Sequence, residues 1–408
     1  MRIAILGAGG VGVCAALELA NRGYRVDVFD EHAEPLCGAS RNNEGKVHVG
    51  LVYAKDPSLE TARTMILGAI HFAPCLNRWI DLDPIDHLAS SPFYYAVHKD
   101  TMTSPDALAA HYHRCQKLFE EACSSTGLAY MGRDRRLQVE QVSAQEMGSL
   151  VSPQYFDAVF RTSEVAIDAR AVADRLRAAM LANPCVRFIG GAQVVGAAWS
   201  GASRTEISFR LDGSDHTETY DQVANTLWQG RLAIDSALGL EPERTWIYRY
   251  KLGGRINVPA RMKSIPSLTM VLGPFGDVVN FGCNGVYFSW YPEGMIGASH
   301  ELRPPEWGHE LAAADCHRIL RKSYEDLSKR CPAMSSLGYC ERDVEPVGGV
   351  IFAWGSTGIE SHHSHLHTRH EIGIHTVGSY HSANTGKYTM VPYFGYQMAE
   401  RILGGSRG

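Results

Sequence analysis

The stretch RIAILGAGGVGVCAALELANRGYRVDVFDE, residues 2–31, decides the fold. RIAIL is short and rich in apolar residues, and it predicts a strand running directly into the glycine turn GAGGVG. Val13, Leu17 and Ala20 then recur at helical spacing, with Gly23 placed to end the helix. YRVDVFD alternates Val26 and Val28 as a second strand and closes on Asp30. Strand, glycine turn, helix, strand and acid form the context in which G-x-G-x-x-G reads as a dinucleotide site. Gly7 permits the tight turn, Gly9 lets a pyrophosphate approach the backbone, and Gly12 lets the helix pack close to the strand. Gly10 and Val11 stand at the helix N-terminus, whose free N–H groups and positive dipole end favour phosphate. Asp30, or Glu31 beside it, is placed to accept hydrogen bonds from ribose hydroxyls. On these residues alone the dinucleotide is NAD or FAD.

The rest of the chain sets wide bounds. Its 408 residues suit two domains, and 45% hydrophobic residues supply a large core. A net charge of −5, with both signs mixed along the chain, offers no surface for nucleic acid or anionic membrane. No apolar run is long enough to span a bilayer, and the apolar N-terminus has no basic leader with a cleavage site. Ten cysteines without a C-x-x-C pair predict reduced thiols in a cytoplasm.

CGASRNNEGKVHVGLVY, residues 37–53, narrows the dinucleotide. Gly38, Ala39, Ser40, Asn43 and Gly45 match a G-A-S-x-x-N-x-G segment, with Lys46 directly after it. Here the chain resembles the D-amino-acid-oxidase-like superfamily of FAD enzymes, which includes sarcosine and glycine oxidases and in which this segment folds over the flavin. VHVGLVY is similar to the V-H-x-G stretch of glycerol-3-phosphate and L-2-hydroxyglutarate dehydrogenases of the same superfamily. The resemblance implies FAD as cofactor and an α/β fold, a Rossmann-like FAD-binding domain interleaved with a mixed-sheet substrate domain. Residues 1–84, 162–232 and 342–408 are expected in the first, 85–161 and 233–341 in the second.

Two further blocks carry the resemblance. Glu164 to Leu181 reads as a short strand and then a helix from Asp168; Val186 to Trp199 reads as a strand pair. A valine there is expected to touch adenine through its backbone, and Val194 is chosen over Val195. The sequence VANTLWQGRLAID places Gly230 at a family glycine, although Trp228 and Gln229 replace the usual small residues. Near the end, Gly386, Lys387, Thr389, Pro392 and Gly395 form G-K-x-T-x-x-P-x-x-G, enclosing Tyr388. A reduced flavin carries negative charge at N1 and the C2 carbonyl, and Lys387 with a helix N-terminus would stabilise it. There is no second glycine fingerprint for NAD(P)H, so the reductant is expected to be the substrate itself.

Flavin oxidation of an amine or alcohol needs a positioned C–H bond, an anchor for the substrate and an acceptor for its proton. Arg249, Arg255 and Arg369 are candidate anchors for a carboxylate through a bidentate fork. Tyr248, Tyr250, Tyr287 and Tyr291 are candidate pocket residues, with Tyr250 carried among the catalytic candidates. His48 is the candidate base, since an imidazole near neutral pKa suits a hydroxyl proton. Met295 is expected where sarcosine oxidases place an oxygen-activating lysine. The tract HHSHLHTRH, residues 362–370, invites a metal reading. Read as a strand, it puts His363, His365 and His367 on one face without a carboxylate or cysteine, so no metal is expected. His367 or Arg369 is expected to turn toward the flavin. The expected activity is FAD-dependent removal of a hydride from a C–N bond of a small, carboxylate-bearing amine or amino acid. The alternatives are a 2-hydroxy-acid dehydrogenase, a flavin-binding subunit without turnover and an NAD-binding dehydrogenase. The electron acceptor is oxygen or another carrier.

Overall fold

The computed structural model describes residues 1–201, 203–257, 264–359, 361 and 364–404. The first strand, Ile3–Leu6, is fully buried and forms the centre of a six-stranded sheet. Val26–Asp30 and then Val186–Gly190 pair parallel on one side of it. Gln222–Asn225 and Tyr380–Asn384 pair parallel on the other, and Gly373–Val377 closes that edge antiparallel. Parallel strands of this kind need cover on both faces. One face takes the helices Gly10–Asn21, Ala169–Ala182 and Val391–Gly404, with Glu60–Leu76 packed behind the last. The other takes an antiparallel ribbon of Gln193–Ser200, Arg204–Leu211 and Ser214–Tyr220, whose Val194, Ile207 and Phe209 pack on Leu6 and Phe29. The expected strand pair at 186–199 therefore divides between two sheets.

A nine-stranded mixed sheet forms the second layer system. Its long strand Trp246–Ile256 pairs with Met295–Ser299 and Val286–Trp290 along one side. The sheet continues through Gly276–Asn280, Ser267–Val271, Phe93–His98, Phe156–Thr162 and Val139–Gln141. Along its whole other side, Trp246–Ile256 pairs with Val344–Trp354. Residues 344–354, expected with the segment 342–408, thus hydrogen-bond into this nine-stranded sheet. No helix among the described residues is long and apolar enough to cross a membrane.

One buried carboxylate ties the first helix to its surroundings. Glu18 accepts bonds from Arg22 (2.8 Å), from Arg78 (2.6 and 2.9 Å) and from the Trp79 indole (2.9 Å). Burial pushes its pKa up, but these bonds and the Arg78 charge win and hold it at about 2. A depressed carboxylate stabilises the fold above its unfolded pKa and loses that contribution as pH falls from about 4.5 toward 2. Glu18→Gln is expected to lower unfolding free energy by about 2 kcal/mol at pH 7, discounted because both arginines reach water. Urea unfolding at pH 7 and pH 3 checks this, since the deficit must shrink at the lower pH.

Candidate active site

A long cavity, about 1690 Å³ counting its open mouth, runs along the C-terminal ends of the central strands. Its floor is the glycine turn. Gly7 sits at φ +96°, and a side chain there would meet the Thr226 carbonyl oxygen at 2.8 Å. A Cβ on Gly12 would lie 2.0 Å from the Gly7 carbonyl oxygen, so this glycine is what seats the helix against the strand. Gly12 accordingly does not line the cavity, and Gly9, which does, has only the Ser40 hydroxyl near its missing Cβ, at 3.8 Å. Gly12→Val is expected to force the helix out by overpacking worth about 1–3 kcal/mol or more. The check is the flavin-to-protein absorbance ratio of the purified variant, which should fall by at least about tenfold.

Other expected cofactor residues divide into lining and supporting groups. Gly10, Val11, Asp30, Glu31, Ala39, Ser40, Lys46, Val194, Gly230, Gly386, Lys387 and Tyr388 border the cavity. Val195, the alternative to Val194, is 46% exposed on the far side of the ribbon. Ser40 accepts the Gly10 N–H at 2.8 Å, and Asp30 accepts the Ala8 N–H at 2.7 Å, so both also brace the glycine turn. Asn43 lines the cavity, yet its amide is spent on the loop, donating to Ala39 and accepting from Gly45. Gly45 is packed against the Ile167 carbonyl, away from the cavity. Thr389 is also supporting: its hydroxyl accepts the His48 N–H at 2.9 Å and donates to the Lys46 carbonyl. Trp228 and Gln229 themselves form wall, as do Arg303, Pro304 and Glu306, which sequence reading did not single out.

The inner end holds a dense set of buried charges. Lys46 turns its ammonium to Asp277 (2.9 Å) and Thr269, and Lys251 lies 3.5 Å from Glu44 and 3.8 Å from Asp277. Burial pushes the two carboxylates up, but the lysines outweigh it and hold Asp277 and Glu44 below their ordinary range. Lys387 lines the cavity as well; its backbone bonds Thr385 and Met390, while its ammonium makes no side-chain hydrogen bond among the described residues. Burial and the nearby Arg369 bring its pKa down to about 8. Arg369, which like Arg249 does not line the cavity, is buried close by, donates to the Phe352 carbonyl at 3.0 Å, and is lowered to about 10 by burial and by Arg249. His48 borders the cavity, its ring against Tyr53 at 5.7 Å between centroids. Burial, then Lys387 and Lys46, push its pKa well below 6.5, so the imidazole is neutral at pH 7.

Several expectations are corrected here. Tyr250 packs against Trp307 and stands close to Gly348, on the opposite face of its strand from Arg249 and Lys251, and does not border the cavity. Tyr248 packs on Phe352, and of the four tyrosines only Tyr291 is a wall residue. Arg255 is committed to Asp168 at 2.6 and 3.0 Å. Met295 pairs with Lys251 across the sheet, and it is Lys251 that borders the cavity. Alternation along Trp246–Ile256 could have found Lys251, since Arg249 and Lys251 share a face. The described part of the histidine tract is not a strand: Ser364 caps a single turn, His365–His367. His362 and His363 lie outside the described residues. His367 bonds the Ser361 carbonyl at 2.8 Å within its own loop, and His370 lies 3.3 Å from Thr61. Among the described residues no three His, Cys, Asp or Glu side chains are grouped to hold a metal.

A family model described as FAD dependent oxidoreductase matches residues 2–401. Glycine oxidase from Geobacillus kaustophilus superposes with a TM-score of 0.65 at 14% identity, over 99% of this chain and 95% of its own. L-alpha-glycerophosphate oxidase from Mycoplasma pneumoniae, solved with FAD bound, gives 0.64 at 12% identity, over 99% and 94%. L-proline dehydrogenase from P. horikoshii gives 0.63 at 15%, over 99% and 93%. D-amino acid dehydrogenase 2 of Mesorhizobium japonicum is 43% identical over 63 residues, and the match spans 15% of each chain. The residues present fit FAD: a glycine turn open at Gly9, a twelve-residue helix starting at Gly10, and an inner end with an unbonded cation at Lys387.

Proposed function

The chain belongs to the FAD dependent oxidoreductase family, and we propose that it removes a hydride from a C–N bond of a small amine or amino acid. The observation that carries the reading is the inner end of the cavity, which a neutral His48 and Lys387 line, with the buried Arg369 close behind Lys387 and outside the lining itself. Bound there, FAD supplies a two-electron acceptor at N5 of its ring. Gly7, Gly9, Gly10 and Val11 would receive the pyrophosphate, Asp30 and Glu31 the ribose, and Val194 the adenine. Gly230, Gly386, Lys387 and Tyr388 would border the ring, and Lys387 keeps a positive charge where negative charge develops on reduction.

Arg369, with Arg249 beside it, takes the substrate carboxylate. Its fork spends one N–H on Phe352 and retains others for a two-point contact that fixes orientation. His48 accepts the proton of the substrate amine at Nε2, the ring nitrogen not directed at Glu164. The buried walls keep water from this end, which strengthens each of these contacts. The amine reading is supported by relatives named for glycine, proline and D-amino acids. A second reading, oxidation of a 2-hydroxy acid, is favoured by His48 within V-H-x-G, because a neutral imidazole equally accepts a hydroxyl proton. We take the acceptor to be oxygen or another carrier.

Anaerobic bleaching of the flavin by a panel of amino acids, N-methyl amines and 2-hydroxy acids tests the proposal. Bleaching by an amine and not by its hydroxy analogue supports the first reading. Bleaching by hydroxy acids alone replaces it with the second, and air readmission then reports the acceptor.

A further inference from the structure

We infer that Glu164 is a positioning residue for His48, holding its Nδ1 proton so that Nε2 presents a lone pair to the substrate. Glu164 has no exposure at all and lies just beyond the Phe156–Thr162 strand. Its Oε1 accepts the Tyr95 hydroxyl at 2.5 Å, and its Oε2 accepts the Val49 N–H at 2.8 Å. His48 Nδ1 lies 3.8 Å from Oε1, buried and without a hydrogen-bond partner. The backbone on both sides is pinned: the His48 N–H goes to Thr389 and the Val49 N–H goes to Glu164 itself. One carboxylate therefore fixes residue 49 and faces the ring of residue 48.

An ionised carboxylate only accepts, so the imidazole nitrogen turned toward it must carry the hydrogen. That selects one tautomer and leaves the other nitrogen basic. Catalytic contacts of this kind are often long before substrate binds and shorten in the complex. Lys387, Lys46 and Lys251 all oppose an imidazolium, and Asp277 alone among them favours it, while already paired with Lys46. Burial, with Asp277, pushes the Glu164 carboxyl up from its ordinary range, against the pull of Lys46, the Tyr95 hydroxyl and the Val49 N–H toward the carboxylate. When a proton moves from substrate nitrogen or oxygen to Nε2, the positive charge reaches Nδ1–H, and Glu164 is the carboxylate within 4 Å of it. No other atom changes bonding in this step.

The inference rests on His48 as the base, so its test includes a readout that needs no substrate. In the FAD-loaded protein, imidazole nitrogen NMR is expected to show His48 as the Nδ1–H tautomer at pH 7, and Glu164→Gln to lose that preference. An Nε2–H tautomer in the parent protein overturns the assignment even if every substrate is found. With an accepted substrate, Glu164→Gln is expected to move the acid limb of the bleaching rate down by about one pH unit and lower its plateau about tenfold. Glu164→Asp keeps the charge and should recover part of that loss. Should Glu164→Gln fail to fold, Tyr95→Phe removes the competing hydroxyl donor and is expected to move the limb upward. An unmoved limb in the folded variants reduces Glu164 to a structural acceptor. Failure of every substrate overturns the proposed reaction instead, with the tautomer still decided.

Discussion

His48→Asn is expected to slow anaerobic bleaching by the preferred substrate about 10²- to 10⁴-fold, the usual worth of a positioned general base. Flavin content should not change, because the His48 ring makes no side-chain hydrogen bond in the fold and its backbone N–H goes to Thr389. The parent pH profile should show the same base. Burial and the lysines place the His48 pKa well below 6.5, so the acid limb lies below that value and the rate is flat through neutrality. On the alkaline side, Lys387 loses its proton near pH 8 in the unliganded protein, and with it the charge that favours reduction. Stopped-flow bleaching from pH 5 to 10 reads both limbs. A variant rate within about threefold of the parent would remove His48 from the chemistry.

The second large effect concerns the anchor. Arg369→Ala is expected to weaken substrate binding by about 2–4 kcal/mol, roughly 30- to 1000-fold in apparent Kd, because a buried charge pair is truncated. Arg369→Lys should recover little, since an ammonium cannot reproduce the two-point fork. The measurement is the substrate concentration at half-maximal bleaching rate, with the limiting rate followed separately. A loss confined to the limiting rate would place Arg369 elsewhere in the mechanism. Arg369 also donates to the Phe352 carbonyl, so the thermal midpoint of each variant separates lost anchoring from lost packing.

Much of the cofactor half was legible because its signals are local. Gly7, Gly9 and Gly12 are required by backbone geometry within one turn, and Asp168 announces the helix it caps by accepting the Arg170 N–H. The strand Tyr380–Asn384 was not legible. Its residues are tyrosine, histidine, serine, alanine and asparagine, yet all five are buried. They are buried because Asp235, Asn225 and Gln222 satisfy Tyr380, Ser382 and His381, and none of those partners is near in sequence. The histidine tract misled in its local structure: read as a strand, its described residues form a single capped turn, and they bond to separate loop and helix partners.

The sequence by itself determined the dinucleotide fold and the two ends of the chain that meet around it, while the cofactor class followed from its resemblance to the superfamily. Each of these is written in residues whose neighbours set their role: a glycine that must turn, a helix that must start, a lysine ahead of a helix. Only the tertiary structure decided which charges share the inner end of the cavity. Lys46 was a cofactor candidate and pairs with Asp277, Arg255 was an anchor candidate and pairs with Asp168, and Glu164 gave no signal until it came to face His48. The physical reason is that a buried charge is defined by its partner. Those partners stand 231, 87 and 116 residues away along the chain, distances that only folding closes.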